Sequence, residues 1–327
     1  RRVTPEVVAA ARVPWTSPAI RSWYSAPSLL AQLADGVRQE VAWVGDEEFG
    51  AELRGHVDSA SPMPPLAWAN RVLDLPDGGW ALCGIRFRQR DNARPFVDVV
   101  ASTAPPTPDG LATIAAAVAP AYDPWHPLAL RANLPDPDAI IAAVRGDSRF
   151  VGMSVDMYVM AGLVHRLRTR KRDIDDRLRL VPGSPGELAA RNAGIYGELY
   201  RRDPERARWA TPEDADSLAE CADEGLLFEV RVHDEPAGVV AAMRWDAHGM
   251  CGFSVEELAL DAEHREKGLG PVVLQRLLRK LPADDGDALW GTIHRDNIPS
   301  LRNALRVGRE IVGANMWITP AGWSGMP

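Results

Sequence analysis

The residues best suited to chemistry lie together in Phe253 to Pro271, FSVEELALDAEHREKGLGP. A run of β-forming residues ends near Asp261, and a loop bearing Arg265, Gly268 and Gly270 leads straight into an amphipathic helical pattern. Glycine tolerates positive φ and close backbone approach, while the first N–H groups of a helix lack partners and carry the positive end of its dipole. Arg265, Glu266, Lys267, Gly268, Leu269 and Gly270 therefore form an expected anion cradle, suited to a diphosphate. Pro271 fits the first helical turn, where its missing N–H costs nothing. A glycine turn that only caps a helix is spelled the same way. The run matches neither GxxxxGK[ST] nor a dinucleotide fingerprint in an opening βαβ unit.

Other reaction types find little support. Cys251 has no evident histidine partner, and GFSVE departs from GxSxG. His56, His126, His165, His233, His248, His264 and His294 show no HExxH or paired-cysteine spacing, so no metal is expected. Cys83, Cys221 and Cys251 are too few and too scattered for a disulfide framework and read as reduced core residues.

The elements that must hold the loop follow from periodicity. In the first half, Gly79 to Arg88 and Pro95 to Thr103 form a hairpin. A helix over Asp109 to Ala121 with Asp109 as N-cap, a strand over Leu128 to Asn133, a helix over Pro137 to Arg145 and one or two strands over Phe150 to Val164 follow. The second half predicts a strand at Asp176 to Val181, helices at Glu187 to Arg201 and at Pro212 to Asp223 with Thr211 as cap, and a hairpin of Leu227 to Val232 with Val239 to Trp245. A strand at Cys251 to Asp261, a helix at Gly270 to Leu281, a strand at Ala288 to His294, a helix at Pro299 to Val307 and a last strand at Ile311 to Thr319 complete it. The halves resemble distant structural copies without a residue-level repeat. At 327 residues two domains are expected, and Pro and Gly punctuation places their boundary near Arg170 to Asp176, giving 1–172 and 173–327.

After the loop helix come Asp296, Asn297, Ile298, Pro299, Ser300, Leu301 and Arg302, with Gly308 eleven positions after Asn297. With these residues in place, Asp176 to Thr319 resembles the GNAT acetyltransferase superfamily: HREKGLG is similar to its pyrophosphate loop, and DNIPSLRNALRVGRE to its NxxS helix near the pantetheine arm. The first half resembles a degenerate copy through strand order alone, because Ser102 to Gly110 carries three prolines and no RxxGxG. The resemblance implies an α+β fold of tandem GNAT-like domains, each a mixed, mostly antiparallel sheet flanked by helices. It implies acetyl-CoA, or another acyl-CoA, as cosubstrate, lying in a V-shaped opening beside the third main strand. Backbone groups of Leu258, Ala259 and Leu260 would polarise the thioester, Asn297 and Ser300 would lie near the pantetheine arm or thiol, and a small-molecule amine would attack directly.

Such an amine arrives protonated and needs a base. Glu256 and Glu257 are candidates on the third strand, where alternation sets them on opposite faces, and His294 at a strand end is another. Glu256 is preferred, since it shares parity with Leu258 and Leu260 and stands four residues before the strand end. All three also read as ordinary strand residues. Many superfamily members carry a tyrosine acid where this chain has Ala304, so the general acid stays unassigned. Trp15, Trp23, Trp43, Trp68, Trp80 and Trp125 crowd the first half, mostly as core, with one or two free to line an acceptor pocket.

Composition narrows the partners. Net charge is −8, with 19 basic and 18 acidic residues up to Arg172 and 18 basic and 27 acidic after it, which disfavours general nucleic-acid binding. The basic run Arg166, Arg168, Arg170, Lys171 and Arg172 is followed at once by Asp173, Asp175 and Asp176 and reads first as a solvated linker. No apolar stretch nears the roughly 20 residues needed to cross a bilayer, and Arg1 to Pro5 begin no apolar leader, so the cytoplasm is the default expectation. An oligomer is left open. Alternatives to the acyltransferase are a non-catalytic CoA-binding tandem protein, and an aminoacyl-tRNA-dependent transferase as in enzymes with two linked domains of this kind.

Overall fold

The computed structural model describes residues 2–57, 62–170 and 177–326. The expected boundary between Arg172 and Asp173 lies outside the described residues, as do Lys171, Asp175 and Asp176. The chain divides into two compact units. Unit 1 is Arg1–Met157 with Ala247–Gly249 and Val312–Pro327; unit 2 is Tyr158–Asp246 with Met250–Ile311.

Unit 1 opens with five short helices that periodicity in strands had left unread: α1 (Pro5–Arg12), α2 (Pro18–Trp23), α3 (Ala26–Asp35), α4 (Arg38–Ala42) and α5 (Glu47–His56). The side chains of Thr4, Ser17, Ser25 and Asp46 cap four of them by accepting first-turn N–H groups, and prolines follow the first three caps where their missing N–H is harmless. Then come β1 (Arg71–Asp74), β2 (Trp80–Phe87), β3 (Pro95–Ser102), α6 (Pro108–Tyr122), β4 (Ala129–Leu134), α7 (Pro137–Val144) and β5 (Phe150–Leu163), a single strand. Within unit 1 the strand order is β1-β2-β3-β4 followed by β11 (Glu310–Pro320), the last strand of the chain. β3 runs parallel to β4, and the pairs β1–β2, β2–β3 and β4–β11 are antiparallel. The helix expected to be capped by Asp109 is capped instead by Thr107, whose hydroxyl accepts from Gly110.

Unit 2 contains α8 (Val164–Thr169), β6 (Leu178–Pro182), α9 (Pro185–Arg202), α10 (Ala215–Asp223), β7 (Leu227–Val232), β8 (Glu235–Arg244), β9 (Gly252–Leu260), α11 (Leu269–Lys280), β10 (Ala288–His294) and α12 (Ile298–Val307). Its strand order is β6-β7-β8-β9-β10, with the end of β5 beyond β10. From β6 to β9 neighbours run antiparallel, and β9 runs parallel to β10. Alternation along β8 feeds two layers: Val240 and Ala242 join Phe253, Val273 and Leu277 under α11, whereas Val239 and Ala241 join Leu188 and Leu218 under α9 and α10. The helix expected from Pro212 starts only at Ala215, because Asp214 has extended backbone and caps it by accepting the Ser217 N–H; the N–H of Glu213 goes to the carboxylate of Glu257.

The chain thus runs twice through three strands, helix, strand, helix, strand, first β1 to β5 and then β7 to β11; β5 ends in unit 2, and β11 lies almost wholly in unit 1. The strands within each unit are mixed and mostly antiparallel and are flanked by helices. Among the described residues no helix is long and apolar enough to cross a membrane.

Candidate active site

The site is built where β9 and β10 part. They pair only from Gly252 with Ala288 to Ser254 with Trp290, leaving the rest of β9 without a neighbour on that side. A bulge contributes: opposite β8, Ala241 pairs with Glu257 and Ala242 with Val255, so Glu256 is the extra residue. An extra residue bends its strand and increases local twist, which separates it from the next strand. The N–H of Asp261 bonds Ala237, and with Gly238 opposite Leu260 and Val240 opposite Leu258, antiparallel alternation aims the N–H groups of Leu258 and Leu260 away from β8, into the opening. The Leu258 N–H lies 3.0 Å from the Glu257 carboxylate. Ala259, between them, bonds toward β8.

From Leu260 the chain passes a short turn at Ala262–His264 and enters α11 with Glu266 at φ 60° and Gly268 at φ 74°. This double left-handed kink swings the loop over the start of α11, placing the N–H groups of Gly268, Leu269 and Gly270 at an uncapped helix N-terminus. Glu266, Lys267 and Gly268 are exposed, and Leu269 is core. Arg265 has a different task from a direct anion contact: its Nε donates to the Leu260 carbonyl at 2.7 Å and its Nη2 reaches Glu198 at 3.4 Å, tying loop to strand end. Gly270 is buried against α12, where a Cβ would sit 2.3 Å from the Asn303 side-chain nitrogen. A side chain there would have to displace that of Asn303. Space at Gly268 is open.

The bulge overturns the parity argument for the two glutamates. Leu258 and Leu260 belong to the α11 layer, while the extra residue brings Glu256 round with Glu257, so that both charges push the Glu213 carboxyl up after burial has done so first. Glu257 is buried and accepts from Asn192 at 2.6 Å, Tyr196 at 3.1 Å and the Glu213 N–H at 3.3 Å, besides Leu258. Burial raises its pKa, opposed by these hydrogen bonds. Its neighbour Glu256 is half-buried, with none of those donors upon it.

His294 closes β10, buried, with its ring stacked on Trp209 at 4.7 Å between centroids and 8° between planes. Its Nδ1 accepts the Asp296 N–H at 3.3 Å. Asn297 caps α12 by accepting the N–H of Ser300, also at 3.3 Å, so both residues serve the helix start. Ala304 is wholly buried beside Met160 and Ile293, with Tyr158 packed on the same cluster. Asn192, Tyr196, Trp209, Glu213 and Asn303 went unread in the sequence; a buried asparagine on the apolar side of an amphipathic helix was the only signal available.

The basic run is partly structural: Arg168 donates to the carbonyls of Leu278 and Leu281 at 2.8 and 2.6 Å, closing the end of α11. The three cysteines are free thiols; Cys83 and Cys221 are buried and Cys251 is half-buried. Burial pushes the Cys221 thiol up to about 12 and that of Cys251 to about 11. Among the described residues no group of three or more His, Cys, Asp or Glu is placed to hold a metal ion.

Residues 195–308 match the sequence model of the acetyltransferase (GNAT) family, and this part of the chain is a GNAT domain. A search of curated proteins finds no match. Among solved structures, a GCN5-related N-acetyltransferase from Sphaerobacter thermophilus is similar at 13% identity, covering 75% of this chain and 77% of that one, with TM-score 0.47. A GNAT-family acetyltransferase from Colwellia psychrerythraea has 9% identity, coverage of 74% and 81%, and TM-score 0.47. A tandem GNAT protein from the clavulanic acid biosynthesis pathway has 19% identity, coverage of 75% and 79%, and TM-score 0.39.

Proposed function

We propose that the GNAT domain at residues 195–308 makes this chain an acyl-CoA-dependent N-acyltransferase, with acetyl-CoA as first donor and a small-molecule amine as acceptor. The observation that carries this reading is the opening of β9 from β10 after Ser254 and Trp290, with the left-handed loop at its mouth. The Gly268, Leu269 and Gly270 amides would take the diphosphate, Lys267 would add charge at the rim, and the Leu260 N–H would face the thioester carbonyl. The acceptor nitrogen then bonds the acyl carbon, the C–S bond breaks, and the amine proton leaves to a base. Glu256 is assigned that role over Glu257, whose carboxylate is occupied by four donors. His294 is the alternative base. Unit 1 is proposed as a degenerate copy without CoA binding, with 1–172 and 173–327 as the two ancestral halves.

Thiol release from acetyl-CoA, followed with the full chain over a library of amines, tests this; amine-dependent release is the expected result. CoA binding by calorimetry without release on any amine would favour the non-catalytic reading, whose support is Ala304 buried where a phenol would stand. The tRNA-dependent reading loses part of its motive, since Arg168, one of the five residues of the basic run, is occupied at the end of α11.

A further inference from the structure

Unit 1 holds a cavity of about 370 Å³ between α4, α5 and the sheet, within the ~300 to 1,000 Å³ range of small-molecule sites. One wall is apolar, formed by Leu53, Val57, Phe87 and Phe96. Five charged side chains of both signs complete it, and their pairing is uneven. Glu40 accepts from Asn70 at 2.7 Å and from Arg86 at 2.9 Å, and Arg86 lies over the stacked rings of Trp43 and Phe49, so that pair is closed. Arg131 is likewise committed, donating to Asp156 from Nε and Nη2 at 3.2 Å.

Two charges remain. Asp98 has as its ion partner among the described residues only Arg131, at 4.0 Å, too far for a hydrogen bond. Arg90 has no carboxylate within ion-pair distance among the described residues, yet it is held at the rim by positive φ at both Gln89 and Arg90, 55° and 58°. Arg12 lies within electrostatic reach of Asp98 and Glu40, and burial pushes the Glu40 carboxyl up.

A carboxylate with no cation at hydrogen-bond distance and a guanidinium with no carboxylate within ion-pair distance, among the described residues, face one apolar-walled space and complement a zwitterion: ammonium to Asp98, carboxylate to Arg90, hydrocarbon against Phe87 and Phe96. We propose that this cavity binds a free α-amino acid with an apolar side chain, a site separate from the acyltransfer site and independent of that assignment.

Calorimetry on the full chain with L-leucine, L-methionine and L-phenylalanine tests the proposal, with phenethylamine and N-acetyl-L-phenylalanine as probes lacking one charge each. At least one amino acid is expected to bind at a single site, the half-zwitterions at least ~10-fold more weakly, and Asp98→Asn and Arg90→Ala each to lower affinity ~10-fold or more. Arg90 is exposed, so Arg90→Ala keeps the fold even if Asp98→Asn does not. Glu256→Gln is expected to leave this binding intact. No heat from any of the three amino acids, equal binding of either half-zwitterion, retention in both cavity variants, or loss in Glu256→Gln would each overturn the site.

Discussion

The two strand-to-helix crossings, β3 to α6 and β9 to α11, share an architecture and differ in what they leave open. Both strands carry a bulge at matching places, at Val100 between partners of Leu82 and Cys83 and at Glu256 between partners of Ala241 and Ala242. Both run parallel to the next strand. But β3 stays paired with β4 from Phe96 to Val99, leaving three residues before its end. By contrast β9 leaves β10 after Ser254, with six residues still to run. The loops diverge further. In unit 1, Thr107 N–H bonds Pro105, Pro108 has no N–H, and Gly110 N–H goes to the Thr107 hydroxyl. The start of α6 is therefore capped by its own chain, whereas α11 begins at a left-handed glycine with no side-chain cap. The two crossings of one fold differ in whether a side chain caps the helix that follows, and the proposed CoA site rests on that difference.

The largest effect that would sharpen this contrast concerns the bulge residue. Glu256→Gln should leave CoA affinity intact and reduce turnover by ~10² to 10⁴, with the loss shrinking as pH rises and more amine arrives deprotonated. Turnover near wild type at neutral pH would remove Glu256 from the mechanism; a loss confined to His294→Ala would transfer the role.

Next in size is the cradle. Gly270→Asp is a poor probe, because its side chain would meet Asn303, so the contrast is best drawn at Gly268. Gly268→Asp adds a carboxylate in open space and should weaken CoA binding by ~10² through like-charge repulsion, while Gly268→Asn, of equal shape and similar tolerance of positive φ, should retain most of it. Equal calorimetric affinities for the two variants would break the anion assignment. A cut between 172 and 173 makes no clean test of either half, since β11 pairs with β4 in unit 1 and β5 ends beside β10 in unit 2.

The matching glycine of unit 1 should behave in the opposite way. A Cβ at Gly110 would lie 2.0 Å from the Pro105 carbonyl oxygen, so Gly110→Ala should cost ~1–3 kcal/mol of stability in urea melts and leave CoA affinity unchanged. A weakened CoA affinity would mean that the first crossing takes part in binding after all.

The smallest effect separates Glu257 from Glu256. Burial holds the Glu257 carboxyl above the ordinary carboxylate value, so the folded state keeps a proton that the unfolded chain has released. Stability from this group is then greatest below the unfolded value and declines as pH rises toward the folded one. Glu257→Gln should flatten that slope in denaturant melts across the acidic range. An unchanged slope would show that the four donors, rather than burial, set its ionisation.

What the residues themselves determined is local. A left-handed glycine before an apolar-periodic run, Asn297 three residues ahead of Ser300, and alternation along β8 depend on neighbours within a few positions, and the helices and strands of unit 2 lie within a few residues of where periodicity puts them. The early helices were equally local in their Thr-Pro and Ser-Pro caps, but six to ten residues with weak periodicity give too little pattern to read. Tertiary structure decided the rest. Which glutamate is sequestered depends on Asn192 and Tyr196, some 60 residues earlier. Whether Glu256 shares a face with Leu258 depends on a mismatch between two ladders, and a bulge is a property of the pair of strands, with no spelling in either one. Gly270 looks like a ligand glycine in sequence and is pressed against Asn303 in space. Spacing fixes φ, ψ and period; partners brought together over long separations fix which polar groups are satisfied and which remain free to bind.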